Sequence, residues 1–254
     1  MRMPPAPETS AWKRVASRLL DLLYPPSCAL CTTGLSKAES LCVTCAADLP
    51  RLLEPFCESC GEMFPGIIEG PFSCPNCRGL RFSFEFARPA MQRDDRTLDL
   101  IHRLKYGREI HLASSLAGLA REAFADPRLA PALDGGWPLI PVPLHRRRMQ
   151  YRHFNQAAEI SRTLAALTGL PVLHGLHRTR RTEKQTLLSR KQRMANLRGA
   201  FETTHHARRW IASSPDGAVL VDDVLTTGST VHECARTLRK AGFRRIFVVT
   251  VMRG

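Results

Sequence analysis

The spacing of apolar residues predicts an α/β protein over residues 81–254. Strand-like apolar runs at 84–91, 138–143, 218–221 and 246–252 alternate with stretches of helical periodicity. Such alternation is typical of a parallel or mostly parallel sheet with flanking helices. The run 246–252 is expected to be a central strand, because strands buried on both faces read as continuous apolar segments.

Apolar residues at intervals of three and four predict helices at 97–105, 112–123, 154–167 and 228–241. Gly169 and Gly242 follow the last two, where glycine commonly ends a helix. An amphipathic helix is also predicted in residues 1–24, where four apolar residues share one face: Trp12, Val15, Leu19 and Leu22. Between these regions, residues 25–80 are rich in Cys, Pro and Gly and are not expected to build an apolar core unaided.

Composition and charge narrow the class of protein. The chain has 254 residues, of which 44% are hydrophobic and 24% charged, as in an ordinary globular protein. No apolar run approaches the roughly 18 residues of a membrane span, and charged residues interrupt the N-terminal apolar run, so we expect a cytoplasmic protein without a membrane span. The net charge of +14 favours polyanionic partners, either nucleic acid or phosphorylated small molecules.

Eight of the nine cysteines form four Cys-x2-Cys pairs, namely Cys28 and Cys31, Cys42 and Cys45, Cys57 and Cys60, and Cys74 and Cys77. Disulfides are not expected in the cytosol, whereas two such pairs supply the four thiolates of a closed structural zinc site. We therefore predict a double zinc ribbon over residues 25–80, with iron–sulfur ligation as the alternative. Sequential pairing of the cysteine pairs is favoured over interleaved pairing, because each short spacer can fold back as a hairpin.

Three further predictions concern two glycines of the cysteine-rich segment and the ninth cysteine. Gly34 and Gly61 follow the first pair of each quartet, where the turn requires an unhindered backbone. Cys234 lies on the apolar face of the helix at 228–241 and is predicted to be a core residue, not a metal ligand.

A candidate phosphate site follows the apolar strand at 218–221. Two adjacent acids come first, then a hydroxyl-rich turn, and then a helix whose free amides and dipole favour an anion. Ligands bind open α/β sheets at the carboxyl ends of the strands, so a phosphate at the turn and sugar hydroxyls at the acids describe a ribose 5-phosphate. The predicted site residues are Asp222, Asp223, Thr226, Thr227, Gly228, Ser229 and Thr230.

This segment resembles the phosphoribosyl pyrophosphate motif of type I phosphoribosyltransferases, in which two acids and two variable positions precede Thr-Thr-Gly-x-Thr. Together with the cysteine module, the chain resembles the ComF family, which is associated with DNA uptake in natural competence. Further matching segments are LKYGRE at 104–109, PVPLHRRR at 141–148, RHFNQA at 152–157 and the stretch from Gln185 to GAF at 199–201. His153 departs from the family, which usually has glycine there, and so raises the question of the local backbone geometry.

The resemblance implies a type I phosphoribosyltransferase-like fold that binds phosphoribosyl pyrophosphate with Mg²⁺. Asp222 and Asp223 would hold the ribose hydroxyls directly or through Mg²⁺, and residues 226–230 would cradle the 5-phosphate. The loop Pro143, Leu144, His145 and Arg146 matches the family's pyrophosphate loop, with Arg146 as its cation. The implied catalytic residues are Asp222, Asp223 and Arg146.

Residues 178–198 correspond by resemblance to a flexible loop that closes over substrate. The loop residues singled out are Arg178, Arg180, Arg181, Gln185, Arg190 and Arg193. A loop with so many cationic residues is expected to be mobile in the free protein and to become ordered when an anion binds. The alternative is a disordered basic linker.

Two functions of different class follow. In the first, the protein binds phosphoribosyl pyrophosphate and handles incoming single-stranded DNA during competence, with competence-machinery proteins as partners. In the second, it is an active, Mg²⁺-dependent phosphoribosyltransferase of nucleotide or base metabolism without a DNA role. The charge and the cysteine module favour the first and the unbroken acidic motif favours the second, while no segment identifies an acceptor.

Overall fold

The structure is a computed structural model that describes residues 25–36, 39–68, 70–180, 190–213 and 216–254. The helix predicted in residues 1–24 lies outside these ranges. The chain divides into two compact units, Met1–Ala47 and Asp48–Gly254. Within the described ranges, every helix is too short or too polar to cross a membrane.

The described part of the smaller unit consists of turns around the first cysteine quartet and a short helix, α1 (Val43–Ala47). Cys28 N donates to Thr33 O at 2.8 Å, and Ala29 N donates to Ser40 O at 2.8 Å. These backbone bonds fold the spacer back on itself, as sequential pairing of the cysteines requires.

The larger unit contains a four-stranded sheet with the strand order β1-β6-β5-β2, in which every neighbouring pair is parallel. Its strands are β1 (Phe86–Met91), β2 (Leu139–Pro141), β5 (Gly217–Leu225) and β6 (Arg245–Arg253). The strands β3 (Leu176–Arg178) and β4 (Phe201–Thr203) form a separate antiparallel pair. The predicted α/β class and the central position of β6 are therefore confirmed.

The helices of the larger unit are α2 (Asp95–His102), α3 (Leu112–Arg121), α4 (Ala130–Asp134), α5 (Arg146–Arg152), α6 (Gln156–Thr168), α7 (Arg190–Leu197), α8 (His205–Ser213) and α9 (Ser229–Ala241). A π-helical turn, Arg103–Gly107, continues α2. Gly169 and Gly242 cap α6 and α9 with φ of 76° and 121°, which explains why these helices end at glycine.

The two faces of the sheet carry different layers. Helices α3 and α6 contact the sheet, and α9 packs against β5 and β6. The cluster beneath α9 includes Leu220, Val248 and Leu238, and the second cysteine quartet belongs to the same cluster. The second quartet therefore shares a hydrophobic core with the α/β sheet and does not depend on its own segment alone.

His153 ends α5 in the left-handed conformation, with φ of 68°, and its N–H donates to Met149 O at 2.7 Å. This conformation costs an L-residue about 1–2 kcal/mol, whereas glycine adopts it freely. The structure thus explains why glycine is usual at this position, and it shows that histidine adopts the same backbone geometry.

We expect His153→Gly to raise the thermal midpoint of the larger unit by about 2–4 °C, because removal of the Cβ relieves about 1 kcal/mol of backbone strain. Differential scanning calorimetry measures this shift. Gln150→Gly is the matched control, because this residue lies inside α5, three residues before His153. It should lower the midpoint, since glycine destabilises a helix interior. A lower midpoint for both variants contradicts the explanation.

Candidate functional site

Parallel pairing of β2 with β5 brings the two predicted loops together. Pro141 is in register with Val221, and Val142 N donates to Val221 O at 2.9 Å. Beyond this pair the chain enters the loop of Pro143 to Arg146 on one side and Asp222 on the other. The loops assigned to pyrophosphate and to ribose phosphate therefore start side by side at one edge of the sheet.

The sequence pattern suggested that the two acids end their strand, but in the structure the strand continues beyond them. β5 continues to Leu225 because β6 continues beside it, with Asp222 opposite Thr250 and Leu225 opposite Arg253. Since side chains alternate along a strand, Asp222 and Asp223 point to opposite faces of the sheet. The two carboxylates are thus inequivalent.

Asp223 is 3% exposed, and its Oδ2 lies 2.8 Å from Lys105 Nζ. Lys105 belongs to the π-helical turn and to the LKYGRE segment, which was quoted for the resemblance without a role for this residue. Within the described part of the chain, Asp223 Oδ2 has no aligned hydrogen bond despite this ion pair. The carboxylate is therefore charge-balanced by Lys105, and its buried Oδ2 has no aligned donor among the described residues.

Asp222 is half-buried, and its Oδ1 accepts a hydrogen bond from Asp223 N at 2.9 Å. No ion pair of Asp222 is found among the described residues. Burial, followed by the negative charge of Asp223, raises the pKa of the Asp222 carboxyl to about 8, and Lys105 offsets part of this rise. A bound cation at Asp222 would relieve this unfavourable charge, and carboxylate oxygen is the ligand type that Mg²⁺ prefers.

The hydroxyl-rich turn is partly open to solvent, although Ser229 is buried. Thr226 is exposed, and Thr227 and Thr230 are half-buried. Gly228 caps α9 with φ of 74° and offers no side chain to the first amides, while Thr227 Oγ1 lies 2.9 Å from Ser229 Oγ. Hydroxyls and helix amides thus converge where an anion is favoured by the helix dipole.

The turn is held from below by Arg253, at the end of β6. Its guanidinium donates to Leu225 O at 2.7 Å and to Thr226 O at 2.8 Å, and it also pairs with Glu62. Phe82 stacks on Phe84 at 4.6 Å beneath Gly228. Residues in and just after the second cysteine quartet therefore support the phosphate turn.

In the neighbouring loop, His145 caps α5 by accepting from Arg147 N at 3.3 Å, and Arg146 is the exposed first residue of that helix. Pro143 and Leu144 are half-buried. Asn155, in the RHFNQA segment, donates from Nδ2 to Val142 O at 3.0 Å and is itself buried. No sequence pattern predicted a role for Asn155; in the structure its hydrogen bond fixes the start of the loop.

The cysteines form two compact clusters, Cys28, Cys31, Cys42 and Cys45 in the smaller unit and Cys57, Cys60, Cys74 and Cys77 in the larger one. Within each cluster the sulfur atoms all lie within 4.8 Å of one another. This grouping confirms sequential pairing.

The thiol electrostatics show that each quartet suits a cation. Hydrogen bonds from Cys60 and Cys77 lower the pKa of Cys57, and in return the contact with Cys57 raises the pKa of Cys77 to about 12. One thiolate is therefore favoured and further ones are opposed, unless a metal ion balances their charge. Four sulfur ligands without an open position are typical of structural zinc.

Two glycine predictions have different outcomes. Gly61 has φ of 69°, and a Cβ there would lie 2.5 Å from Pro89 Cδ, so this position requires glycine. Gly34 has open space around it, and Thr32, with φ of 62°, adopts the left-handed conformation instead, so this prediction was wrong. Cys234 is fully buried, and burial raises its pKa, as expected of a core thiol.

Comparison with known proteins agrees with this geometry. Residues 19–78 match the family model of the double zinc ribbon domain. Competence protein F of Haemophilus influenzae is 30% identical over 223 residues, which cover 87% of this chain and 94% of that protein. The chain belongs to the ComF family of competence proteins.

Two further ComF relatives extend the comparison. DNA utilization protein YhgH of Salmonella typhi is 31% identical over 230 residues, covering 87% of this chain and 94% of its own. Competence protein ComFC of Bacillus subtilis is 25% identical over 214 residues, covering 82% and 81%. The similarity therefore extends over most of the ComF chain and not only over the cysteines.

The cationic segment of this ComF protein is not one continuous loop. Arg178 is the last residue of β3 and 9% exposed, with its guanidinium 5.3 Å from the Phe201 ring and its backbone bridged to His145. Burial, followed by the charge of Arg148, lowers its pKa. Arg178 thus belongs to the fixed framework beside the pyrophosphate loop, in contrast to the sequence prediction.

The remaining cations of the segment have varied positions. Arg180 donates to the carbonyls of Asn196 and Arg198 at 2.8 and 3.1 Å. Arg190 and Arg193 lie on α7, but their side chains are outside the described part of the structure, as are Arg181 and Gln185 altogether. Closure of this segment over a ligand stays a prediction.

A separate cavity of about 870 Å³ lies elsewhere in the larger unit, lined in part by Phe56, Ile67, Phe72, Arg88 and Arg128. Its lining includes none of the predicted phosphate-site residues. The candidate site at the edge of the sheet is therefore distinct from this cavity.

We expect about two zinc ions per chain by elemental analysis. Replacing Cys57 and Cys60 by serine should remove one ion and also abolish cooperative thermal unfolding of the larger unit, because this quartet lies in the shared core. Replacing Cys28 and Cys31 is the matched control, since it should remove one ion and leave that transition in place. Iron in the protein, or equal thermal effects of the two variants, would contradict this assignment.

Proposed function

We propose that this ComF protein binds phosphoribosyl pyrophosphate with Mg²⁺ at Asp222 and the turn that follows, and that it handles incoming single-stranded DNA during natural competence. One observation carries the ligand assignment. A half-buried carboxyl with a raised pKa lies in β5, just before a partly exposed hydroxyl-rich turn at the start of α9. A sugar phosphate fits this arrangement, because the carboxylates can accept hydrogen bonds from its hydroxyls and the turn can bind its phosphate.

The proposed roles follow from the contacts. Asp222 holds a ribose hydroxyl or Mg²⁺, and Asp223, held by its ion pair with Lys105, is the second acid of the proposed ribose site. Thr227, Ser229 and the first amides of α9 bind the 5-phosphate. Arg146 supplies positive charge for the pyrophosphate, and Mg²⁺, when bound, neutralises further negative charge there.

The role in competence is supported by the relatives, which are named competence proteins and DNA utilization proteins. The net charge of +14 fits a polyanionic partner such as DNA. Competence-machinery proteins and a cytoplasmic location belong to the same proposal, because single-stranded DNA enters the cell there.

The unbroken acidic motif also favours a second function, transfer of the phosphoribosyl group to an unidentified acceptor. In this reaction a nucleophile forms a bond to the anomeric carbon while the bond to pyrophosphate breaks, and pyrophosphate leaves with the electron pair. Measuring released pyrophosphate with a panel of nucleobases distinguishes a transferase from a protein that only binds the ligand.

We expect Asp222→Asn to weaken binding of phosphoribosyl pyrophosphate with Mg²⁺ at least ten-fold, as measured by isothermal titration calorimetry, because a neutral amide neither ligates Mg²⁺ well nor accepts as strongly. Thr227→Val should weaken it as well. Asp216→Asn, before the start of β5 and exposed, is the matched control and should bind like the wild type. Equal binding by the wild type and Asp222→Asn ends the assignment.

Affinity for the Mg²⁺ complex should rise with pH, because the cation requires the ionised form of Asp222 and the raised pKa leaves that carboxyl largely protonated at neutral pH. The expected gain approaches about ten-fold per pH unit below the pKa and levels off above it. Titrations from pH 6.5 to 9 test this profile. Asp222→Asn is the control, and a profile identical to that of the wild type would show that Asp222 is not the titrating group.

A further inference from the structure

Two reciprocal arginine–tyrosine contacts join the π-helical turn to the end of α5. The Arg152 guanidinium lies 5.0 Å from the Tyr106 ring centroid, and the Arg108 guanidinium lies 5.9 Å from that of Tyr151. Arg108 Nη2 also donates to Tyr151 O at 2.9 Å. Each segment thus holds the aromatic ring of the other in place.

Both rings nevertheless remain open to solvent, with Tyr106 57% and Tyr151 62% exposed. The arginine beneath Tyr106 is 6% exposed and bonded to Gln156 at 3.0 Å, so it is part of the framework. Arg108 adopts the left-handed conformation, with φ of 59°, to make its contacts. These features hold two aromatic faces ready for a planar partner, since a fixed ring loses less conformational entropy on binding.

The surrounding exposed charge is positive. Helix α5 contains no acid, and its first turn carries three exposed arginines, Arg146, Arg147 and Arg148. The acids nearest in the chain to Tyr106, Glu109 and Asp99, are paired with Arg103. A free nucleobase is neutral and would not require this charge, whereas a polynucleotide presents bases and phosphates alternately.

We propose that the exposed rings of Tyr106 and Tyr151, hereafter the tyrosine surface, stack the bases of single-stranded DNA while Arg146, Arg147 and Arg148 contact its phosphates. Base–aromatic stacking combined with cations is the usual means of binding single strands without sequence preference. Bases in a duplex are already stacked, so the surface favours single strands. The inference rests on the DNA-handling part of the proposed function.

The tyrosine surface adjoins the candidate sugar-phosphate site through both of its segments. Lys105 precedes Tyr106 and pairs with Asp223, and the helix that ends at Tyr151 and Arg152 begins at Arg146 of the pyrophosphate loop. A strand stacked on the tyrosines therefore passes beside the phosphoribosyl pyrophosphate site.

The test measures fluorescence anisotropy of a labelled oligothymidylate of about 20 nucleotides, a length that exceeds the footprint of small single-strand sites. Tyr106→Ala and Tyr151→Ala should each weaken binding by about five-fold to a hundred-fold, the range expected for one stacked base. Tyr106→Phe and Tyr151→Phe keep the ring and should bind within about two-fold of the wild type. An abasic oligonucleotide of equal length should bind the wild type and the alanine variants alike.

A second measurement distinguishes contacts with the bases from contacts with the phosphates. The alanine variants should leave the slope of log affinity against log salt unchanged, whereas replacing Arg146, Arg147 and Arg148 by glutamine should reduce it. Photo-crosslinking of the wild type to an oligonucleotide containing 5-bromodeoxyuridine should label Tyr106 or Tyr151 and needs no variant to fold.

The outcomes separate this inference from the ligand assignment. Unchanged DNA affinity in both alanine variants, or crosslinks only at other residues, overturns the stacking surface. If the alanine variants lose phosphoribosyl pyrophosphate binding but keep DNA binding, the stacking surface is overturned too, because the tyrosines would then serve the sugar-phosphate site. If the wild type binds the oligonucleotide in none of these assays, the inference fails while the Asp222 titration stands on its own.

Discussion

The parallel pairing of β5 with two neighbours of unequal length is the constraint on which the site depends. β2 stops at Pro141, whereas β6 accompanies β5 to Arg253. The last four residues of β5, which include Asp222, are therefore hydrogen-bonded on one side and leave the other side free for the loop that leads to Arg146. A longer β2 would close this edge, and a shorter β6 would leave the acids without a rigid support.

The same geometry separates the roles of two residues that are neighbours in sequence. Asp223 faces the layer that contains Lys105, and the ion pair there is nearly inaccessible to water. Removing two charges from water is costly, so such a pair contributes more to fixed geometry than to stability. Asp222 faces the α9 side, has no ion pair among the described residues, and has a raised pKa that Lys105 offsets only in part. Adjacent acids on one strand thus have different surroundings, because one is ion-paired and the other is not.

Much of the architecture was predictable because it is encoded locally. The cysteine spacing predicted both quartets, and the long periodic segments predicted α2, α3, α6, α9 and the central β6. The hairpin of β3 and β4 has only three residues in each strand, too few to show a period. The true length of β5 depends on its pairing with β6, which no local pattern reveals.

The contacts that complete the candidate site were equally non-local. Lys105 and Arg253 lie far in sequence from the groups they contact, and only folding brings them to Asp223 and to the phosphate turn. Asn155 was part of a quoted segment, but its bond to Val142 O depends on how α5 and α6 connect. The motif therefore predicted candidate binding residues, and the structure identified the residues that hold them in place.

The second cysteine quartet has its hydrophobic cover far along the chain, on α9 and β6. During synthesis on the ribosome these cysteines emerge long before that cover exists. Their thiols therefore stay accessible to metal and to oxidants until α9 and β6 have been synthesised. Early zinc capture by the nascent chain would protect them during this interval, and it would link maturation of the phosphate turn to the cell's metal supply.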